Sequence, residues 1–282
     1  MNLQQCFQRV RMDGFCVLEN VVPEEAVVSV RESVVRATKE YGREEAKAKG
    51  IGHVPGFISY DQSLASYLAD TELMRLVEGL LGPAARVSFA SATINYPGNL
   101  RGSWHADWPF NQKNGGRIPA PYPDALMHLT TLWMLSPFSC DNGGTLLVPG
   151  SHLATNNPTG DMGGDPQAPY PTEVHATGPA GSVLVLDSRI WHATAANTSD
   201  QARVSVVVRY APWWLNTRVL MPGSAERERL LGTSGRTENE QPSLPHEVYD
   251  GLPVQTKPLL GRRLRRPCKP TAVGFLIMMN LI

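Results

Sequence analysis

The chain of 282 residues is 42% hydrophobic, which provides enough apolar surface for a core and excludes wholesale disorder. Its 26 basic and 26 acidic side chains give a formal net charge of zero, so we expect neither a nucleic-acid partner nor a membrane-surface partner. The 25 glycines and 23 prolines are spread along the chain, as is typical of folds in which turns separate many short strands.

The cysteines and the two chain ends predict a cytoplasmic protein. The four cysteines lie far apart without a C-x-x-C pair, so no zinc finger or redox motif is expected, and the thiols fit a reduced compartment. The first ten residues are polar and lack the apolar stretch of a signal peptide. The apolar run Gly274–Ile282 is too short to span a bilayer, and we expect residues 261–282 to be a disordered basic and apolar tail.

The N-terminal third is predicted to be mainly helical after a short β-rich run, GFCVLENVV. A helix is expected to begin at Pro23, because proline and acidic residues favour the first helical turn, and to run to about Tyr41. A second helix is predicted in DTELMRLVEGLLG, with Asp70 as the N-cap and Gly82-Pro83 as the stop signal.

From Arg86 onward the pattern changes to short runs rich in valine, leucine and threonine, separated by glycine, proline or asparagine. These runs are RVSFASATINY, HLTTLWMLS, GGTLLVPGS, GSVLVLDSRIWH and RVSVVVRYA. Helices followed by strands predict an α+β fold that is mainly β, with the strands in a sandwich or jelly roll. No internal repeat or linker divides the chain, so a single domain is expected.

The segment RGSWHADWPF places His105 and Asp107 one residue apart, between Trp104 and Trp108. Residues two apart on a strand share a face, so the imidazole and the carboxylate would point at one place and the tryptophans into the core. The pair is either a surface histidine that lies near an aspartate or two of the three ligands of a mononuclear metal site. A facial set of two histidines and one carboxylate suits Fe(II), because it leaves positions open for oxygen and a substrate.

His192 is the best candidate for the third ligand. It ends the strand and turn GSVLVLDSRIWH, and the β-rich run RVSVVVRYA follows it. The other histidines fit other roles: a solvated loop for His53 and His246, a hydrogen-bonded core position for His128, a structural turn for His152 and an exposed position for His175.

The run RVSVVVRYA places Arg203 and Ser205 two residues apart and therefore on one face of a strand. The valines beside them predict burial, and a buried arginine needs an anionic partner. An arginine fork binds a carboxylate through two charge-assisted hydrogen bonds, and Ser205 can donate a third. The alternative is that Arg203 pairs with an internal acid such as Asp187.

Together these motifs resemble the phytanoyl-CoA dioxygenase (PhyH) family of Fe(II)/2-oxoglutarate-dependent oxygenases. The resemblance rests on WHADW, DNGGTLLVPGSH and WHATAANTSDQARVSVVVRY, with RMDGFCVLENVVPEE similar to the family's N-terminal strand and helix. It implies a double-stranded β-helix, a cupin-like jelly roll with N-terminal helices packed on it. The expected boundaries are residues 1–85 for the helical part and 86–215 for the jelly roll, within one oxygenase domain of residues 1–260.

The resemblance also implies which residues hold the metal. His105, Asp107 and His192 correspond to the family's iron ligands. The presence of Asp107 argues against a halogenase of this fold, because such enzymes replace the carboxylate with a small residue.

The implied cosubstrate is 2-oxoglutarate, used with O2 and with ascorbate as a reductant in vitro. Arg203 resembles the residue that binds the distal carboxylate of 2-oxoglutarate, and Ser205 lies beside it. Asn95 and Trp133 fall where family members line the cosubstrate pocket.

The implied activity is hydroxylation of an unactivated C–H bond in a small-molecule substrate, with release of succinate and CO2. Two alternatives from other classes use the same residues. The first is a zinc hydrolase that binds a water molecule on His105, Asp107 and His192, since zinc accepts this ligand set. The second is a jelly-roll binding module without catalysis. Arg203 and Ser205 favour the oxygenase, because a hydrolase has no need for a carboxylate-binding arginine there.

Overall fold

Helices dominate the first third of the chain and strands its middle, in a computed structural model that describes residues 2–158, 165–232 and 234–261. The helices are α1 (Leu3–Met12), α2 (Glu24–Tyr41), α3 (Glu44–Lys47), α4 (Thr71–Leu81), α5 (Ala225–Leu231), α6 (His246–Gly251) and α7 (Lys257–Leu260). The strands are β1 (Phe15–Leu18), β2 (Ile51–Pro55), β3 (Arg86–Asn95), β4 (Leu129–Met134), β5 (Thr145–Leu147), β6 (Val174–His175), β7 (Val183–Asp187), β8 (His192–Thr194) and β9 (Arg203–Ala211). Of the tail predicted for residues 261–282, all residues after Gly261 lie outside the described part of the chain.

The capping residues determine where two of the N-terminal helices begin. Pro23 immediately precedes α2, and the Asp70 side chain accepts a hydrogen bond of 2.9 Å from the backbone N–H of Leu73 in the first turn of α4. Gly82 ends α4 with a φ of +85°, a conformation that glycine adopts without a steric penalty. Both predicted helices are confirmed.

Helix α1 was not predicted, because only Cys6 and Val10 of its ten residues are buried and its apolar stripe is therefore short. Its start is stabilised locally. The Asn2 side chain accepts a hydrogen bond from the backbone N–H of Gln5, and the Gln5 side chain accepts one from the backbone N–H of Asn2. This reciprocal arrangement satisfies two N–H groups that a helix start otherwise leaves without partners.

A six-stranded antiparallel sheet with the strand order β1-β7-β4-β9-β3-β2 forms the main layer of the jelly roll. Its outer face packs against α1, α2 and α4. Val206 and Val208 of β9 share one apolar cluster there with Val30 and Val34 of α2. Burial of each such side chain contributes about 1.5–3 kcal/mol, so this layer holds the helices on the sheet.

The inner face of the main sheet packs against a three-stranded sheet with the order β6-β5-β8. Leu132 and Leu184 of the main sheet lie in one buried cluster with Leu147 of β5. Because directly opposed residues share a face, the register Leu147↔His192 places His192 on this inner side. None of the helices in the described ranges is long and apolar enough to cross a membrane.

Candidate active site

A pair of backbone hydrogen bonds brings the two halves of the predicted metal site together. His105 N donates to His192 O (3.0 Å) and His192 N donates to His105 O (2.9 Å), which extends the smaller sheet beyond β8. Asp107 N donates to the carbonyl of Ser188 (2.8 Å). Trp104 points away from His105, as predicted for neighbouring residues in extended backbone, and packs in a buried cluster with Trp191.

The ring nitrogens of both histidines are arranged for metal binding. The Nδ1 of His105 lies 2.9 Å from the carbonyl of Ser103, and the Nδ1 of His192 lies 3.0 Å from the carbonyl of Ile190. A carbonyl only accepts, so each Nδ1 carries a proton and each Nε2 is the nitrogen available for a metal ion. Burial, together with the neighbouring His192, lowers the pKa of His105 to about 4, so this imidazole is neutral at physiological pH.

Asp107 supplies the carboxylate of the set. Burial raises the pKa of its carboxyl group, but Arg209, His192 and Thr130 together outweigh burial and hold this pKa below its usual range. Arg209 Nη2 contacts Asp107 Oδ1, and Thr130 Oγ1 donates a hydrogen bond of 2.6 Å to Oδ2. The carboxylate is therefore ionised and held through both of its oxygens.

These three residues form a donor set that fits a mononuclear metal ion. One ligand atom from each of His105, Asp107 and His192 lies within 4.8 Å of the others, and His192 Nε2 is 3.7 Å from Asp107 Oδ2. Two imidazoles and one carboxylate suit Fe(II), and zinc also accepts them. The structure brings the predicted ligands together, and their binding of iron stays a prediction.

Arg203 lies buried on the inner face without a carboxylate partner among the described residues. Its Nε donates to the carbonyl of Gly143 (3.0 Å) and its Nη1 to Ser205 Oγ (2.8 Å), and its guanidinium lies 4.8 Å from the ring centre of Phe138. Burial lowers its pKa to about 10, so it remains a cation at physiological pH.

The alternative partner for Arg203 is wrong, because Asp187 pairs with another arginine. Arg189 Nη2 lies 2.8 Å from Asp187 Oδ2, and both side chains are buried. A buried cation with no internal acid needs an external anion. The environment of Arg203 is therefore suited to a carboxylate ligand.

Asn95 lies directly opposite Arg203 in the β3–β9 register, so the two side chains share the inner face. The Asn95 amide donates to the same Gly143 carbonyl that Arg203 contacts (3.2 Å). Its Oδ1 is buried and has no hydrogen-bond partner in the described part of the chain. Asn95 therefore lies beside Arg203, and its place in a cosubstrate pocket stays a prediction.

Trp133 lies on the other face of the main sheet, which corrects the prediction that it lines the cosubstrate pocket. It opposes Val206 in the register and belongs to the apolar cluster beneath the N-terminal helices. Its indole N–H donates to Thr131 Oγ1 (3.0 Å) on the same strand. Because both faces of β4 are buried, hydrophobicity along the strand could not distinguish the inner from the outer residues.

The sequence argument missed Arg209 and Thr130, which hold Asp107. Arg209 lies six residues after Arg203 on β9 and opposes Thr130 on β4, so all three side chains share the inner face. The even spacing of the two arginines was a usable signal, since residues an even number apart on a strand point the same way.

A cavity of about 780 Å³ opens beside this inner face, next to β2. Its lining includes Ile51, His53 and Thr93 of β2 and β3 and the basic residues Arg43 and Lys49. His53 is a correction, because it is a half-buried strand residue rather than a solvated loop residue. Burial, Arg43 and Arg209 lower its pKa to about 4. Thr93 opposes Ser205, so the cavity borders the face that carries the predicted cosubstrate residues.

Comparison with known proteins agrees with this geometry. Residues 10–205 match the model of the family described as phytanoyl-CoA dioxygenase (PhyH). The chain belongs to this family. The PhyH family consists of Fe(II)/2-oxoglutarate-dependent dioxygenases, so the predicted family and enzyme class are confirmed. One relative, Uncharacterized protein Rv1501 of Mycobacterium tuberculosis, is 26% identical over 257 residues, which are 83% of this chain and 88% of the relative.

Two solved structures have folds similar to that of this chain. The alpha ketoglutarate dependent epimerase SnoN from nogalamycin biosynthesis matches with a TM-score of 0.60 at 20% identity, over 84% of this chain and 91% of SnoN. HygX from Streptomyces hygroscopicus, with nickel, 2-oxoglutarate and hygromycin B bound, matches with a TM-score of 0.61 at 18% identity, over 76% of this chain and 89% of HygX. At these identities the likeness shows the fold alone, and it confirms the predicted α+β double-stranded β-helix.

Proposed function

We propose that this PhyH-family protein hydroxylates an unactivated C–H bond of a small-molecule substrate and converts 2-oxoglutarate to succinate and CO2. We also propose that residues 1–260 form one oxygenase domain. The observation that carries the activity is the buried Arg203, which has no acid partner among the described residues and shares the inner side with the donor set. One carboxylate of a dicarboxylate cosubstrate would pair with Arg203, and its other end would reach the metal held by the donor set.

In this mechanism His105, Asp107 and His192 hold Fe(II) through their Nε2 and carboxylate atoms. When bound, the iron supplies the redox chemistry that couples oxidation of 2-oxoglutarate to oxidation of the substrate. The protein supplies two imidazoles, an ionised carboxylate and a buried site, and the Ser103 and Ile190 carbonyls keep the two imidazole rings in place.

Arg203 and Ser205 bind the distal carboxylate of 2-oxoglutarate. Their hydrogen bonds to each other and to Gly143 hold the guanidinium in one orientation before the ligand arrives, which reduces the entropy lost on binding. Asn95 shapes the same end of the pocket. Trp133 has no part in this proposal, because it lies on the opposite face of the sheet.

The substrate enters, in this proposal, through the cavity beside β2. Its volume of about 780 Å³ is in the range of small-molecule sites. HygX has hygromycin B bound, and SnoN acts in nogalamycin biosynthesis, so two proteins of the same fold handle small molecules of substantial size. These observations favour a small-molecule substrate over a macromolecule.

Succinate formation tests the proposal. Anaerobically purified protein receives Fe(II), ascorbate, 2-oxoglutarate and O2, and we expect slow turnover even without the substrate. His105→Ala should abolish turnover. Arg203→Ala should weaken 2-oxoglutarate binding by at least about 10-fold, because each lost charge-assisted hydrogen bond contributes about 1.5–3 kcal/mol.

Arg227→Ala is the matched control, since Arg227 is also a largely buried arginine that donates to backbone carbonyls, those of Val219 and Asn239. It should leave turnover unchanged. If wild-type protein neither forms succinate nor binds 2-oxoglutarate in calorimetry after metal loading, the oxygenase proposal is wrong. Hydrolysis by the zinc-loaded protein would then favour the hydrolase, and binding without turnover the binding module.

A further inference from the structure

A line of buried polar side chains runs from the Asp107 carboxylate into the core. Thr130 Oγ1 donates to Asp107 Oδ2 (2.6 Å) and lies 3.1 Å from Ser188 Oγ. Ser188 Oγ lies 2.9 Å from His128 Nδ1, and His128 Nε2 lies 2.7 Å from Ser88 Oγ. All of these side chains are buried, so water does not compete for their hydrogen bonds.

Counting protons determines the direction of every hydrogen bond in this line. Asp107 is ionised and only accepts, so the single hydroxyl proton of Thr130 is used on it. Ser188 must then donate to Thr130. With its own proton used, Ser188 accepts from His128 Nδ1–H. The neutral His128 therefore keeps a lone pair on Nε2. Ser88 Oγ lies 2.7 Å from this nitrogen and 3.2 Å from the Arg209 carbonyl, so we assign its single proton to the nearer acceptor, His128 Nε2.

The neutral form of His128 follows from its surroundings. Burial, and then the positive charge of Arg209, lower its pKa to about 3, although Asp107 acts in the opposite sense. Its ring is also held in place, because Trp108 packs against it edge to face with ring centres 5.2 Å apart. The imidazole therefore presents one fixed donor, Nδ1–H, to Ser188.

Arg209 holds the other oxygen of Asp107 at a cost to its own hydrogen bonding. Its Nη2 contacts Asp107 Oδ1, whereas its Nε and Nη1 are buried with no partner in the described ranges. Burying an N–H without an acceptor is unfavourable, because the group loses its hydrogen bond to water and gains none in return. The guanidinium thus keeps its contact with Asp107 while two of its nitrogens lack acceptors.

We propose that His128 is a positioning residue for the metal site: through Ser188 and Thr130 it orients the Asp107 carboxylate, whose second oxygen Arg209 holds. The proposal rests on the proposed function, in that Asp107 is taken as a metal ligand. His128 itself touches neither His105 nor His192 in this role and acts only through the two hydroxyl groups.

The first test is the protonation state of His128 in the wild-type protein. Long-range ¹H–¹⁵N correlation spectra of the histidine side chains identify the protonated nitrogen, with His128→Asn used to identify the signals. We expect the proton on Nδ1 at neutral pH. A proton on Nε2 would reverse the hydrogen bonds and overturn the proposal, whatever the variants do.

The second test is metal affinity, measured by calorimetry with Mn(II) as a redox-stable probe. Thr130→Val should weaken Mn(II) binding by about 10- to 100-fold, as expected when a hydrogen-bond partner of a metal ligand is removed. Thr131→Val is the matched control: it removes a hydroxyl from the next buried residue, but that hydroxyl bonds to Val208 O (2.7 Å) on the outer face. It should leave Mn(II) affinity unchanged.

Two substitutions of His128 test the direction of the hydrogen bonds. Asparagine can place an amide N–H near the position of Nδ1, so His128→Asn should keep most of the Mn(II) affinity. Glutamine places its amide near the position of Nε2, so His128→Gln should lose about as much affinity as Thr130→Val. Equal affinities of these two variants would contradict the proposed direction.

The outcomes separate this inference from the function on which it rests. If wild-type protein binds Mn(II) and the Thr130 and Thr131 variants bind it equally, the positioning role is wrong and the oxygenase proposal stands. If wild-type protein binds no Mn(II), the proposed function is itself contradicted, and the positioning role with it. Circular dichroism of each variant shows whether it folds. If a variant does not fold, the histidine ¹H–¹⁵N spectra of the wild-type protein still decide the direction of the hydrogen bonds.

Discussion

Asn95 and Arg203 face each other across β3 and β9 and donate hydrogen bonds to one shared carbonyl, that of Gly143. The loop before β5 is thereby attached to both β3 and β9, at the end of these strands where the predicted cosubstrate residues lie. Gly143 has a φ of +76°, and a Cβ atom there would lie 1.8 Å from Asn95 Nδ2. Both its backbone conformation and its close approach to Asn95 require glycine.

Gly143→Ala should therefore weaken 2-oxoglutarate binding by displacing Asn95 and, with it, the carbonyl that orients Arg203. Gly150→Ala is the control: its φ is +79°, but a Cβ atom there would meet nothing within 4 Å. Both variants should lose about 1–2 kcal/mol of stability from the left-handed conformation. Calorimetric titration with 2-oxoglutarate should show loss of affinity for Gly143→Ala alone, and equal affinities would contradict this account.

Arg203→Lys should raise the KM for 2-oxoglutarate by about 10-fold or more while Mn(II) affinity stays unchanged. A lysine keeps the charge but cannot form the two-pronged contact of a guanidinium or maintain both hydrogen bonds to Gly143 and Ser205. Steady-state succinate formation at varied 2-oxoglutarate measures this. An unchanged KM would show that the distal carboxylate binds elsewhere.

Trp133→Phe should lower stability without changing 2-oxoglutarate affinity. The substitution removes the indole hydrogen bond to Thr131 and part of the apolar contact beneath the helices, at a cost of about 1–3 kcal/mol. Urea unfolding and cosubstrate calorimetry measure the two effects separately. A loss of 2-oxoglutarate affinity at unchanged stability would instead place Trp133 in the pocket.

His53→Gln should make the protein less sensitive to acid. The pKa of His53 is about 4 in the folded chain and near 6.5 in the unfolded chain, so the unfolded state takes up the proton first as pH falls. The stability present above pH 6.5 is therefore lost between about pH 6.5 and 4, by about 2 kcal/mol at pH 4.5.

Urea unfolding at pH 7 and at pH 4.5 measures this difference. The free energy of unfolding should fall less for His53→Gln than for the wild type. The same fall in both would show that His53 is already protonated in the folded state near pH 6.

The sequence by itself determined those features that depend on residues close together in the chain. The limits of α2 and α4 follow from Pro23, Asp70 and Gly82, which act on the nearest turn. The shared face of His105 and Asp107 follows from the two-residue repeat of extended backbone. The PhyH motifs, each a short run of residues, were likewise sufficient for the family.

Only the tertiary structure decided which distant groups meet. Strand order and register place His53 on the inner face beside the cavity, turn Trp133 away from it and bring Arg209 onto Asp107. They also pair Asp187 with Arg189, so Arg203 has no internal acid as a partner among the described residues. The physical reason is that both faces of β4 are buried, since helices cover one side and the smaller sheet the other. Hydrophobicity along β4 therefore does not show which side is the site, and the packing of the two layers decides it. In β9 the alternating polar residues do mark one face, but only the tertiary structure shows what that face meets.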